Sequence, residues 1–229
     1  MLESLKQTIV DANKWLETSG LVQLTWGNVS GIDREQGIFG IKPSGVPYAD
    51  LKPEHIVLMD LDGKQVEGDL KPSSDTKTHL ELFRAFTDIG GVTHTHSVHA
   101  TMFAQAGREV PCLGTTHADH FYGPVPVCRA LTPEEVDEDY EANTGKAIVE
   151  RFEGVQPLEM PAVLQLHHAP FTWGKDAKDS VKNSIALEYC AQMALGTFQL
   201  QQDISSIPSH ILDKHYLRKH GPNAYYGQS

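Results

Sequence analysis

The stretch HIVLMDLDGKQVEG, residues 55–68, constrains the fold most. Its two alternating runs flank Asp62-Gly63, a dipeptide suited to a tight turn, and so predict an antiparallel hairpin. LVQLTW (21–26) and GIFGIK (37–42) read as further strands just upstream. Elsewhere the period changes. Leu2, Leu5, Ile9, Ala12 and Leu16 recur in steps of three and four, which predicts an amphipathic helix stopped near Gly20. Ser74 or Asp75 caps a second helix carrying Leu80, Phe83 and Phe86. After Gly90-Gly91, VTHTH reads as a strand and HATMFAQA as a helix, with VPVCRA (125–130) a further strand.

LTPEEV carries a strong helix start, with Thr132 as N-cap, Pro133 at the first position and Glu135 closing a capping box. Leu131 and Val136 fit a hydrophobic staple around it. AVLQL (162–166) reads as a strand ending at His167-His168, and FTWG continues the sheet. A long helix is predicted from Asp176 to about Leu200, and a last one before Gly221. Hairpins mixed with helices predict an α/β fold with a central, mainly antiparallel sheet flanked by helices. No repeat or Pro/Gly-rich linker divides residues 1–229, so one domain is expected.

Charge narrows the function. Thirty acidic against nineteen basic residues give a net charge of −11, which disfavours a nucleic-acid binder that must neutralise phosphates. An anionic substrate would need a locally positive site. Cys112, Cys128 and Cys190 are an odd number with no CxxC pair, as expected in a reducing cytoplasm. The N-terminus carries charges throughout, unlike a signal peptide, and no apolar stretch has the length of a membrane span.

Three of the twelve histidines crowd into THTHSVH. On a strand His94 and His96 leave the same face, where two imidazoles can chelate one cation. An isolated HxH is more often a surface or hydrogen-bonded pair. Here a further strand ends at His167-His168, and either could supply a third imidazole. Asp75 could add a carboxylate. Three histidines with an open position suit a catalytic zinc, and Mn2+ is also accommodated. For His79, His99, His117 and His120 a surface, capping or hydrogen-bonded role is the expectation.

Three segments suit an anion. TWGNVS places Gly27 and Asn28 at a strand end, IKPSGV offers Lys42, Ser44 and Gly45 in a turn, and KPSSDT puts Ser73 and Ser74 at a helix N-terminus. Each taken alone is an ordinary turn or cap. GTTHADHFYG holds Asp119 between aromatics. The aromatic tail AYYGQS either packs or sends a phenol from Tyr225 or Tyr226 to a site.

Taken together, LTWGNVS, IKPSGV, KPSSDT, HTHSVHAT, GTTHADHFYG, HHAPFTWGK and KHYLRKHGPNAYYGQ resemble the class II aldolase/epimerase family, on its epimerase branch. The resemblance runs from the first helix to the tail. It implies one divalent ion per subunit, Zn2+ first and Mn2+ as an alternative, held by His94, His96 and His168 with Asp75. It places Gly27, Asn28, Lys42, Ser44, Gly45, Ser73 and Ser74 around a small phosphorylated pentulose. Asp119 and Tyr226 match the acid/base pair, supported by Thr115, His215 and Arg218. A homotetramer with active sites between subunits is also implied, with no nucleic-acid or membrane partner. The pathway stays open between arabinose and ascorbate catabolism.

Two departures stand out. Ala169 follows the third ligand where the family usually has glycine, and His120 follows Asp119 where tyrosine is common. The implied reaction inverts C4 of L-ribulose 5-phosphate. That carbon is not alpha to the C2 ketone, so direct deprotonation fails and retro-aldol cleavage of C3–C4 is required. Two rivals compete: a class II sugar-phosphate aldolase, whose members tend to carry Glu in place of Asp75, and a non-catalytic His-rich metal-binding module.

Overall fold

The computed structural model describes residues 2–227. Among them, helices α1 (Leu2–Thr18), α2 (Thr76–Ala85), α3 (Val98–Ala106), α4 (Thr115–Ala118), α5 (Pro133–Arg151), α6 (Ala177–Leu200) and α7 (Ser209–His220) surround one sheet. Its strands are β1 (Asn28–Asp33), β2 (Ile38–Ile41), β3 (Val57–Asp60), β4 (Gln65–Glu67), β5 (Gly91–His94), β6 (Ala162–Leu164) and β7 (Pro170–Gly174). They lie in the order β4-β3-β2-β1-β5-β7-β6, every neighbouring pair antiparallel. This is the predicted α/β arrangement.

Period-two alternation sorts the side chains between the two faces. Phe39, Ile41, Val57 and Met59 join the large core with Leu82 and Phe83 of α2 and Phe86 just beyond it. Leu58 turns the other way, packing with Ile9 and Val10 of α1. Helix α6 lies close to β5 and β7. Gly91 permits that approach, since a Cβ there would stand 2.4 Å from the backbone nitrogen of Ala177.

The local signals hold. The β3–β4 hairpin turns at Gly63, φ +86°, with Asp60 Oδ1 accepting the N–H groups of Asp62 and Lys64. Thr132 and Glu135 form the reciprocal capping box, and Asp176 caps α6 by accepting from Asp179 N.

Other expectations fail for tertiary reasons. LVQLTW is not a strand. Leu21 and Val22 pack with Ala12 and Leu16, after which Leu24 takes φ +54° and stands 78% exposed. Gly27-Asn28 therefore opens β1 rather than closing a strand. VPVCRA makes only isolated bridges, Val125 to Val110 and Val127 to Leu164, the second one parallel. His96 lies two residues beyond β5, and His167-His168 sit in the β6–β7 turn, where His167 takes φ +63°. The polar segment around Thr115 contains α4, a short helix its composition did not announce.

Candidate active site

Strands β1 and β5 pair with Asn28 opposite His94, which brings the Gly-Asn turn against the histidine segment. Gly27 takes φ +82°, and a Cβ there would lie 2.8 Å from the His94 carbonyl oxygen. Glycine is needed both for the conformation and for the contact. The buried Tyr48 hydroxyl holds this turn from beneath, near the carbonyls of Trp26 and Gly27 at 2.9 and 2.8 Å.

Three imidazoles converge beside it. Potential ligand atoms of His94, His96 and His168 all lie within 4.8 Å of one another. His94 Nδ1 is 3.0 Å from the Pro170 carbonyl, which can only accept, so that nitrogen carries the proton and Nε2 keeps its lone pair. Nε2 of His96 faces it at 3.1 Å. Burial, then the neighbouring imidazoles, pushes His168 down to about 4, and burial likewise lowers His96. His168 Nδ1 is buried with no hydrogen-bond partner. Closely grouped imidazoles, with His168 Nδ1 left without a partner, fit a divalent ion.

Asp75 lines the same cleft but is not one of that converging set. Its Oδ2 accepts from Asn28 Nδ2 at 2.6 Å. Burial opposes its charge, yet His94, His79 and the Asn28 amide together hold it below the usual carboxylate range. Ser73 Oγ, 3.1 Å from Asn28 Nδ2, extends this chain of contacts.

The cleft measures about 500 Å3 and is also lined by Gly27, Lys42, Ser44, Gly45, Ser73 and Ser74. Every residue named for the metal and phosphate pocket thus meets in one place. Lys42 is 2% exposed; burial pulls its ammonium down to about 8, and its Nζ lies 4.8 Å from the centre of the Tyr48 ring. The Ser44 N–H already donates to the Lys71 carbonyl, so its hydroxyl is what remains for a ligand. Thr25, Trp26, Pro43, Tyr140 and Glu141 complete the wall, and none of them stood out in the sequence as a site residue. Trp26 carried a signal, since it belongs to the TWGN motif. Tyr140 and Glu141 lay inside a helical run and carried none.

Thr115, Asp119, His215, Arg218 and Tyr226 do not line this cleft; most of them form a second cluster. Asp119 accepts from Arg218 Nη2 at 3.0–3.1 Å and lies 3.2 Å from His215 Nδ1. Burial works against its ionisation, but Arg218 and His215 hold its carboxyl below the usual range. The Arg218 guanidinium sits 4.3 Å from the centre of the Tyr226 ring. The Thr115 carbonyl accepts from Asp119 N. His120 is pushed down to about 4, mainly by burial, and stays neutral beside Asp119. Ala169 is fully buried, so its extra methyl is accommodated.

Three further histidines each make a hydrogen-bonded contact outside the triad. His99 pairs with Glu188, His117 Nε2 donates to the Gly123 carbonyl, and His79 Nδ1 meets Ser30 Oγ. Among the described residues no helix is long and apolar enough to cross a membrane.

A histidine triad at the head of an antiparallel α/β sheet defines a class of protein, and comparison agrees. Residues 7–195 match the family described as Class II Aldolase and Adducin N-terminal domain, and the chain belongs to the class II aldolase family. It is 52% identical over 227 residues, 99% of this chain and 100% of the relative, to a protein of Salmonella typhi named L-ribulose-5-phosphate 4-epimerase UlaF. The same values relate it to a relative of that name from Salmonella choleraesuis. A solved L-fuculose 1-phosphate aldolase superposes with a TM-score of 0.79 at 26% identity, covering 93% of this chain and 94% of that one. YgbL of Klebsiella pneumoniae, described as a putative aldolase/epimerase/decarboxylase, shares the fold with a TM-score of 0.73 at 20% identity, covering 93% and 98%.

Proposed function

We propose that this protein is an L-ribulose-5-phosphate 4-epimerase that inverts C4 by reversible retro-aldol cleavage of C3–C4, giving D-xylulose 5-phosphate. The observation that carries this reading is the meeting of the three imidazoles with Lys42, Ser44, Ser73 and Ser74 in one cleft. The 52% identity to named epimerases supports the choice among family chemistries.

His94, His96 and His168 would hold a divalent ion, Zn2+ or Mn2+, with Asp75 beside it. Such an ion supplies Lewis acidity towards the oxygens next to the bond that breaks. Lys42 and the serine hydroxyls bind the phosphate, which keeps the two-carbon aldehyde fragment in place while it turns. Re-addition to its other face returns the inverted C4.

Because the C4 oxygen is presented on two sides in turn, two proton-transfer groups are needed. Asp119 and Tyr226 are assigned that work. Within one chain they stand apart from the cleft, which supports a homotetramer where they serve a neighbouring subunit's site. Val98, Met102, Tyr189 and Met193 expose 57, 45, 60 and 45% of their surface and offer apolar area for such contacts.

The deciding experiment incubates the metal-loaded enzyme with L-ribulose 5-phosphate. D-xylulose 5-phosphate is the expected product. Accumulation of free glycolaldehyde phosphate without xylulose product would instead identify an aldolase. Metal binding without any turnover would identify a binding module.

A further inference from the structure

Helix α5 starts with a complete capping box, yet Asp139 leaves helical geometry at φ −163°, ψ 87°. The break is built by side chains. Asp139 Oδ1 accepts the Ala142 N–H at 3.3 Å, the contact an N-cap makes to a helix that restarts. Its Oδ2 accepts from Lys77 Nζ of α2 at 2.6 Å. Thr78, the next residue, donates its hydroxyl to the Glu141 carbonyl at 2.6 Å. Across the break Asn143 Nδ2 donates to the Glu135 carbonyl at 2.8 Å. Gly145 lets the helices touch, since a Cβ there would stand 2.6 Å from Glu81 Cβ.

The break delivers Tyr140. An uninterrupted helix would turn each residue about 100° from the last, following 3.6 residues per turn. Here the first residue past Asp139 enters the cleft, with its ring centre 6.1 Å from that of His168. One turn on, the buried Thr144 hydroxyl makes no hydrogen bond of normal geometry. Near the imidazoles Asp75 accepts only, and the Asn28 amide is committed to Asp75 and Ser73. A tyrosine O–H is a donor at neutral pH.

We propose that Tyr140 is a substrate-binding residue whose phenol donates a hydrogen bond to an oxygen at the unphosphorylated end of the substrate, with Lys77 and Asp139 as the pair that positions it. The identity of that substrate end rests on the epimerase reading above; the placement of the phenol does not.

The test separates the two ends of the cleft by equilibrium binding to Zn2+-loaded protein, followed by ligand-observed NMR. Dihydroxyacetone probes the imidazole end and inorganic phosphate the Lys42 end. Tyr140→Phe is expected to weaken dihydroxyacetone about tenfold, the scale of one hydrogen bond, while phosphate binding and the melting temperature stay unchanged. Lys77→Met and Asp139→Asn should show the same selective loss, with no further loss when either is combined with Tyr140→Phe. Unchanged dihydroxyacetone affinity in Tyr140→Phe would overturn the proposal. So would equal weakening of both probes, or a wild-type protein that binds no dihydroxyacetone. Because neither probe requires turnover, failure to epimerise L-ribulose 5-phosphate is a separate result that sinks only the earlier reading.

Discussion

His94 and His96 face each other with their Nε2 atoms 3.1 Å apart, and the Pro170 carbonyl fixes the proton of His94 on its other nitrogen. A tetrahedral ion with bonds of about 2.0–2.1 Å to imidazole would separate neighbouring ligand nitrogens by little more than this. The pair is therefore set for a shared cation before one arrives. Chelator treatment should abolish activity, and Zn2+ or Mn2+ should restore it. In His96→Ala, elemental analysis should find the metal depleted and added ion should not restore turnover. An unaffected chelator-treated enzyme would contradict the assignment.

Asp119 and Tyr226 both contact Arg218, and neither lines the imidazole cleft of its own chain. Asp119→Asn and Tyr226→Phe should retain full metal content and lose about 10²–10⁴-fold in kcat, the usual scale of general acid–base catalysis. The proposed sharing of sites between subunits adds a sharper expectation. Dissociating and reassembling Asp119→Asn together with His96→Ala should regain activity that neither variant has alone, because some sites then receive an intact half from each chain.

Lys42 gives the pH dependence. Its ammonium is held below the ordinary lysine value, down to about 8, by burial. Deprotonation therefore removes positive charge from the cleft as pH rises through about 8, while the charge is present below it. kcat/KM should fall above pH 8, chiefly through KM. Lys42→Arg keeps its charge above pH 12, so that alkaline fall should disappear even if the longer side chain lowers the plateau. A wild-type profile flat to pH 9.5 would argue against Lys42 as the phosphate cation.

Two glycine-to-alanine changes should have opposite effects on stability. At Gly91 the new Cβ would meet backbone of α6 at 2.4 Å, and overpacking of this kind costs about 3 kcal/mol. At Gly196, inside α6, a Cβ meets nothing within 4 Å, and the better helix former should stabilise by up to about 1 kcal/mol. Urea unfolding of the two variants measures both.

The features legible in the sequence were those whose cause is local. The Thr132–Glu135 box and the Asp62-Gly63 turn are set by neighbours in the chain, and both formed where expected. LVQLTW failed because alternation cannot distinguish a strand from a turn that packs Leu21 and Val22 while exposing Leu24. The imidazole pair was legible as a spacing, but the third ligand was not, since His167 and His168 occupy a turn whose direction the sheet decides. Family motifs, rather than periodicity, chose His168. Tyr140 stayed hidden because Asp139 is broken out of its helix by Lys77, a residue sixty-two positions away.

The contact between Gly27 and His94 makes the site a caliper. One jaw is Lys42 with Ser44 just past β2, the other His94 at the end of β5, and β1 pairs with both of those strands. Their opening cannot widen without parting β1 from β2 or from β5. Ketose phosphates should consequently be sorted by length, a chain one carbon shorter or longer engaging one jaw and missing the other.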